Sequence, residues 1–231
     1  MVRRTWCVLA AAWALAGCAP GNPGLVVGGV IGPNETCILD VGNPRLTRGA
    51  LDVAAFEVSY SMTPVLFNQL INLSTQGAPP RADPNVVNVV RAEVELRDVN
   101  GAPFLLGALP NPFTVPATGF IPSSDGTSAG VGLGDVEVVP PAYGEELRAI
   151  GTGTIVAAVR VLGVTAGGAD VESSEFIWPI DICTGCLFAC VRDEEGRAQC
   201  TPSCRPGQDT VTVTPAACDS PDLVTSCVPG A

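Results

Sequence analysis

Between Thr36 and Ile182 apolar residues recur at every second position in short runs, each broken by glycine, proline or asparagine. Successive side chains leave opposite faces of an extended chain, so this period predicts half-buried β-strands. The clearest run is Val89 to Arg97, with Val90, Ala92, Val94 and Leu96 on one face and Arg91, Glu93, Glu95 and Arg97 on the other. Further strands are expected at Cys37 to Leu39, Val53 to Tyr60, Phe113 to Ile121 and Val136 to Val139, with Val65 to Ile71 as a strand or a turn of helix. Thr154 to Val164 is apolar almost throughout, as a strand covered on both faces would be. After a turn at Ala166 to Ala169 the chain returns from Val171 to Ile182, with Phe176, Trp178, Ile180 and Ile182 aligned. Ser123 to Gly134 reads as a Gly/Ser-rich loop and Tyr143 to Arg148 as a short helical turn or loop. Many short strands with turns between them predict a mainly β chain, a sandwich or a barrel.

Composition narrows the chemistry. The chain has no histidine, which removes the usual general base, the usual proton shuttle and the commonest metal ligand. Ser-His-Asp and Cys-His catalysis are excluded. No phosphate-binding loop is present, because Gly151-Thr152-Gly153 lacks the further glycine and the lysine such a loop needs. No cofactor is expected. With 23 acidic against 12 basic residues, the surface repels nucleic acid and anionic lipid head groups.

The first residues have the layout of an export leader. Arg3 and Arg4 precede an uncharged apolar stretch from Trp6 to Ala16. That stretch is about half the ~20 residues needed for a membrane-spanning helix. It ends in Leu15-Ala16-Gly17-Cys18. This tetrapeptide resembles the lipobox of bacterial lipoproteins, in which the cysteine thiol is joined to diacylglycerol and the preceding peptide is removed. The resemblance implies that residues 1–17 are a lipoprotein signal peptide and that Cys18 is the lipidated first residue of the mature chain. It also implies an outer-membrane location, because the next residue is Ala19 and not aspartate. Loss of Arg3 and Arg4 takes the formal net charge from −11 to −13. Residues 18–34, rich in glycine and proline, read as a flexible tether.

Residues 183–231 differ from what precedes them. Cys183, Cys186, Cys190, Cys200, Cys204, Cys218 and Cys227 fall here among proline and glycine, with too little apolar content for an independent core. An exported chain oxidises its cysteines, so this segment is expected to be a disulfide-stapled tail. With Cys7 in the leader and Cys18 under lipid, eight cysteines remain and only Cys37 lies outside the tail. Full oxidation therefore bonds Cys37 to the tail, with Cys183 or Cys186 the favoured partner. Cys183-Thr184-Gly185-Cys186 also has the spacing of a redox pair, or of half a zinc knuckle. Export and the absence of a βαβ pattern weigh against both, and no metal is expected.

Other acidic groups carry weaker signals. Glu93 and Glu95, flanked by Arg91 and Arg97, read as a solvated strand face with cross-strand ion pairs. Asp193-Glu194-Glu195 reads as a hydrated loop, and Asp125 and Asp135 lack calcium-loop spacing.

The strand count over residues 35–182 resembles an immunoglobulin/fibronectin-like β-sandwich, without the Cys-Trp-Cys spacing of a true immunoglobulin domain. The whole layout resembles a loosely defined set of bacterial envelope lipoproteins with a Cys-rich C-terminal tail opening in Cys-x-x-Cys-Leu, here Cys183 to Leu187 and continuing through Cys204 to Asp209. That resemblance implies location and anchoring and brings no activity with it. The expected role is non-catalytic: a lipid-anchored binding or scaffolding module at the outer membrane, facing the periplasm or the cell surface. Its partners would be the membrane, through Cys18, and an envelope protein or polysaccharide. The alternatives are an adhesin-like, surface-exposed structural component, thiol–disulfide exchange through Cys183 and Cys186, and a carboxylate hydrolase.

Overall fold

The computed structural model describes residues 24–72, 83–189, 191, 194 and 203–213. Residues 1–23, which include Cys18, the position expected to carry lipid, and Cys190, Cys200, Cys218 and Cys227 lie outside them. The described chain is mainly β. Its strands are β1 (Leu25–Ile31), β2 (Arg45–Leu46), β3 (Gly49–Asp52), β4 (Tyr60–Asn68), β5 (Val87–Arg97), β6 (Phe113–Ile121) and β7 (Gly130–Val139). After helix α1 (Pro141–Ile150) come β8 (Gly153–Thr165), β9 (Asp170–Glu172), β10 (Phe176–Cys183), β11 (Phe188–Ala189) and β12 (Thr212–Val213).

Ten strands join in one hydrogen-bonded sheet in the order β2-β1-β4-β7-β6-β5-β8-β10-β3, with β9 on β8, while β11 and β12 form a separate parallel pair. The sheet curls until its edges nearly meet. At one end Leu25 of β1 bridges Ser173 just past β9. At the other, residues 207–209 lie between β3 and β4. The two separate sheets of an immunoglobulin-like sandwich are not confirmed; the ladder is continuous and barrel-like. Closure of this kind leaves fewer unpaired strand edges.

The interior is apolar, with Leu66, Val94, Leu96, Val138, Val159 and Ile180 fully buried. α1 plugs one end. Pro140 precedes it and Pro141 occupies its first turn, where a missing N–H costs nothing. Tyr143 and Leu147 point inward, and the Tyr143 ring stacks on Phe113 with centroids 4.1 Å apart. A Cβ at Gly144 would lie 1.8 Å from the Val58 carbonyl oxygen, so only glycine lets the helix seat this closely.

Several sequence expectations change. Leu25–Ile31 is a strand of the sheet and not part of a flexible tether, because Leu25, Val30 and Ile31 each find a buried position. Val53 to Tyr60 is not one strand: β3 stops at Asp52 and β4 starts at Tyr60. Residues 65–68 are strand. The alternation along β5 shifts at a bulge between Val89 and Arg91, so Val87 and Val89 face inward and Val90 is 42 % exposed. An extra residue in one strand reverses facing from that point, and periodicity alone does not locate it. Gly130 to Gly134, expected in a loop, belong to β7. A Cβ at Gly130 would stand 1.9 Å from the Pro122 carbonyl oxygen, so this glycine serves close strand approach. The return from Val171 is split, with β9 ending at Glu172 and β10 starting at Phe176, while Trp178, Ile180 and Ile182 all face inward as expected.

Candidate functional site

The cysteine-rich tail meets the sheet at two adjoining places. The first is the loop that follows β10. β10 runs parallel to β3, with Cys183 beside Asp52, so the Cys183–Cys186 loop comes to rest over the end of β3. Asp52 is fully buried. One carboxylate oxygen accepts the Ala54 N–H at 2.9 Å and the Gly185 N–H at 2.7 Å. The other accepts the Leu187 N–H at 2.7 Å. Three amides that the turn would otherwise leave without partners are thus satisfied by one side chain.

Cys183 and Cys186 are bonded to each other, and their sulfurs lie within 4.8 Å of an Asp52 oxygen and of one another. Among the described residues this is the group closest to a metal-ligand arrangement. Bonded sulfurs offer no thiolates, and both carboxylate oxygens already accept N–H groups. For exchange chemistry the arrangement is equally unhelpful. The loop amides of Gly185 and Leu187, which could stabilise a thiolate, are directed at Asp52 instead. The physical consequence is a held loop.

The second place is the gap between β3 and β4. Here Gln208 does the work of a missing strand. Its side-chain oxygen accepts the Ser61 N–H at 3.0 Å, and its side-chain nitrogen donates to the Ser61 carbonyl at 2.6 Å. One amide side chain thereby reproduces the two-way bonding of a strand neighbour. Asp209 continues the seam. Its N–H donates to the Ala50 carbonyl at 2.9 Å, and its carboxylate accepts the Ala50 N–H at 2.9 Å. The Gly207 carbonyl accepts the Asp52 N–H at 2.8 Å. Arg205 donates to the Ser61 carbonyl and the Thr63 hydroxyl, each at 2.8 Å, and its guanidinium lies 3.7 Å from Asp135.

The seam reaches into the core. The Tyr60 hydroxyl donates to Asp209 at 3.0 Å and accepts the indole N–H of Trp178 at 3.2 Å. A Cβ at Gly49 would stand 2.4 Å from that hydroxyl, which is why β3 begins with glycine. Burial, with the Asp209 charge beside it, pushes the Tyr60 hydroxyl far above the usual tyrosine range. Burial likewise holds Asp209 above the ordinary aspartate range, against the opposing pull of the Ala50 N–H, Gln208, Tyr60 and Arg205.

The sign of the pH effect follows. Folding raises the affinity of Asp209 for its proton, so its contribution to stability is largest below the unfolded value. That contribution falls as pH rises through the window up to the raised folded value. Asp209→Asn should therefore gain on the parent protein as pH rises through that window. Asparagine also tolerates the left-handed backbone here, φ 60°. Denaturation midpoints of both proteins across acidic to neutral pH test this; a constant difference would show that Asp209 does not titrate on folding.

Cys37 bonds to Cys204, with Cα atoms 5.3 Å apart, and so ties the first long loop to the tail. The expected link from Cys37 to the tail is present, but its partner is Cys204. Cys183 and Cys186 are committed to each other, three residues apart in a turn held by Asp52.

The acidic groups singled out in sequence do not converge. Glu93 faces Arg160 at 3.7 Å, and Glu95 and Glu175 share Arg97 on the outer face of the sheet. Asp125 accepts N–H groups from Thr127 and Ser128 of its own turn, while Asp135 faces Arg205. Asp193 and Glu195 lie outside the described residues. Asp52, Tyr60, Gln208 and Asp209 were not identified from sequence, since each acts through a partner far away in the chain. Comparison with protein-family profiles and with curated proteins finds no match, so the site is read from its geometry alone.

Proposed function

We propose that this chain is a non-catalytic, lipid-anchored envelope protein that acts as a binding or scaffolding module at the outer membrane. The observation that carries the reading is the use made of its reactive groups. Asp52, Asp209, Tyr60 and the Cys183–Cys186 pair are all engaged in fastening the tail to the sheet. What the molecule then offers to other molecules is surface: loops at both ends of a braced β framework. Such a framework supports recognition whether its strands are grouped with immunoglobulin-like sandwiches or with barrels. Cys18 supplies the anchor under the lipobox reading, and a protein or polysaccharide of the envelope is the partner.

A second reading, an adhesin-like component on the cell surface, is favoured by the tail itself. The Cys37–Cys204 bond makes it a braced cap of the kind that resists proteases. Protease treatment of intact cells tests this second reading: shaving releases an outward-facing protein, and full retention on the cells overturns it.

The first test is the intact mass of membrane-extracted protein, with and without alkylation in the absence of reductant. The expected mass begins at Cys18 with acyl chains, and no thiol is alkylated. An unacylated amino terminus removes the anchor, and free thiols at Cys183 and Cys186 restore the exchange reading.

A further inference from the structure

The outer face of the sheet is divided. Over β5, β8 and β10 it carries charge, with Glu93, Arg97, Arg160, Glu175 and Asp181 outside. Over β1, β4, β7 and β6 it carries apolar side chains at one end. Phe67 lies opposite Val26 on one side and Val131 on the other. Leu133 lies opposite Val65, and one step beyond the Gly119–Gly134 pair Phe120 comes alongside Leu133. Their neighbours Leu66 and Ile121 are fully buried, which fixes these side chains on the outside. Phe120 is 64 % exposed and Val131 39 %, while Val26, Phe67 and Leu133 are half-buried between them. Ile71, just past β4 and bridged to Ser124, adds another at 56 %.

This apolar end is where the described chain begins. The Gly24 carbonyl accepts the Gln69 N–H at 2.8 Å, which fixes the entry point beside the end of β4. Six residue steps separate Gly24 from Cys18. Whatever path they follow, they span at most about 20 Å. A lipid on Cys18 therefore holds this end, and not the α1 end, within that distance of the bilayer.

We propose that Val26, Phe67, Phe120, Val131, Leu133 and Ile71 form a face that rests in the head-group region of the membrane. Exposed aromatic and aliphatic side chains settle there readily. The surface it meets is zwitterionic, because Asp83 beside Ser123, Asp125 in the turn joined to Leu70, and Asp170 and Glu172 opposite the end of β8 stand at the same end and repel anionic lipid. This proposal takes its geometry from the lipid-anchor reading, and its test separates the two.

Trp6 and Trp13 leave with the leader under that reading, so Trp178, buried in the core, is the sole remaining tryptophan. Phe120→Trp thus adds one reporter on the face, and Leu105→Trp adds a control at the α1 end, where Leu105 is 91 % exposed. Each acylated protein is placed in vesicles of phosphatidylethanolamine and phosphatidylcholine with brominated acyl chains. Phe120→Trp should be quenched severalfold more than Leu105→Trp. Equal quenching overturns the proposal, as does an unquenched Phe120→Trp in a chain that sediments as a dimer, which assigns the face to a second copy. The same two variants, begun at Ala19 so that Cys18, Trp6 and Trp13 are all absent, are then added to the vesicles. Preferential quenching there upholds the face even if intact mass shows no acyl chain and the anchor reading fails.

Discussion

Replacing Cys37 and Cys204 together by alanine should lower the unfolding free energy by about 5 kcal/mol, because the bond closes a span of 167 residues. Replacing Cys183 and Cys186 should cost only about 2 kcal/mol by the same chain-entropy argument, since their separation is 3 residues. For a chain of this size the first change corresponds to a fall in melting temperature on the order of 10–20 °C. Thermal and denaturant unfolding of both double variants, under oxidising conditions, measures the contrast. The tail should also become the first site of proteolysis when Cys37 and Cys204 are lost. Arg205, Gln208 and Asp209 would then hold the β3–β4 gap through hydrogen bonds alone, and each such bond is worth only about 1 kcal/mol net. If the two pairs prove equal, the long bond is not what closes the barrel.

Asp52→Ala should destabilise by about 3–5 kcal/mol. The cause is the set of three N–H groups, from Ala54, Gly185 and Leu187, left buried without an acceptor. Asp52→Asn should lose less, because its one oxygen can still receive Ala54 and Gly185, while its amide nitrogen opposes the Leu187 N–H. Hydrogen exchange gives the specific readout: the Gly185 and Leu187 amides should exchange faster in Asp52→Ala than in the parent. A variant within 1 kcal/mol of the parent, with both amides still protected, would mean that water or the backbone replaces Asp52.

The Cys37–Cys204 bond and the contacts of Asp52 with Gly185 and Leu187 join residues distant in sequence, where local pattern carries least information. The strands at Phe113 to Ile121 and from Thr154 onward are legible in the sequence, because two-residue periodicity and apolar runs are local properties. The inward row of Trp178, Ile180 and Ile182 was legible for the same reason. A bulge turns Val90 outward against the local period, and the glycines of Leu25–Ile31 resemble those of a linker. In the sheet they permit close approach instead: a Cβ at Gly28 would stand 1.9 Å from the Phe67 ring. With Cys7 removed, Cys18 under lipid and the rest oxidised, the number of cysteines requires Cys37 to reach the tail. It did not select Cys204, because pairing depends on which backbones the fold brings together.

The sequence by itself determined the β character, the lack of histidine chemistry and the need for a cross-linked tail, since composition and period act residue by residue. Only the tertiary structure decided that the tail is part of the sheet's closure. Gln208 looks like any polar loop residue until Ser61, 147 positions earlier, presents a free N–H and carbonyl to its amide. Unpaired backbone at a sheet edge must find a partner, and the partner is chosen by position in space rather than by order in the chain.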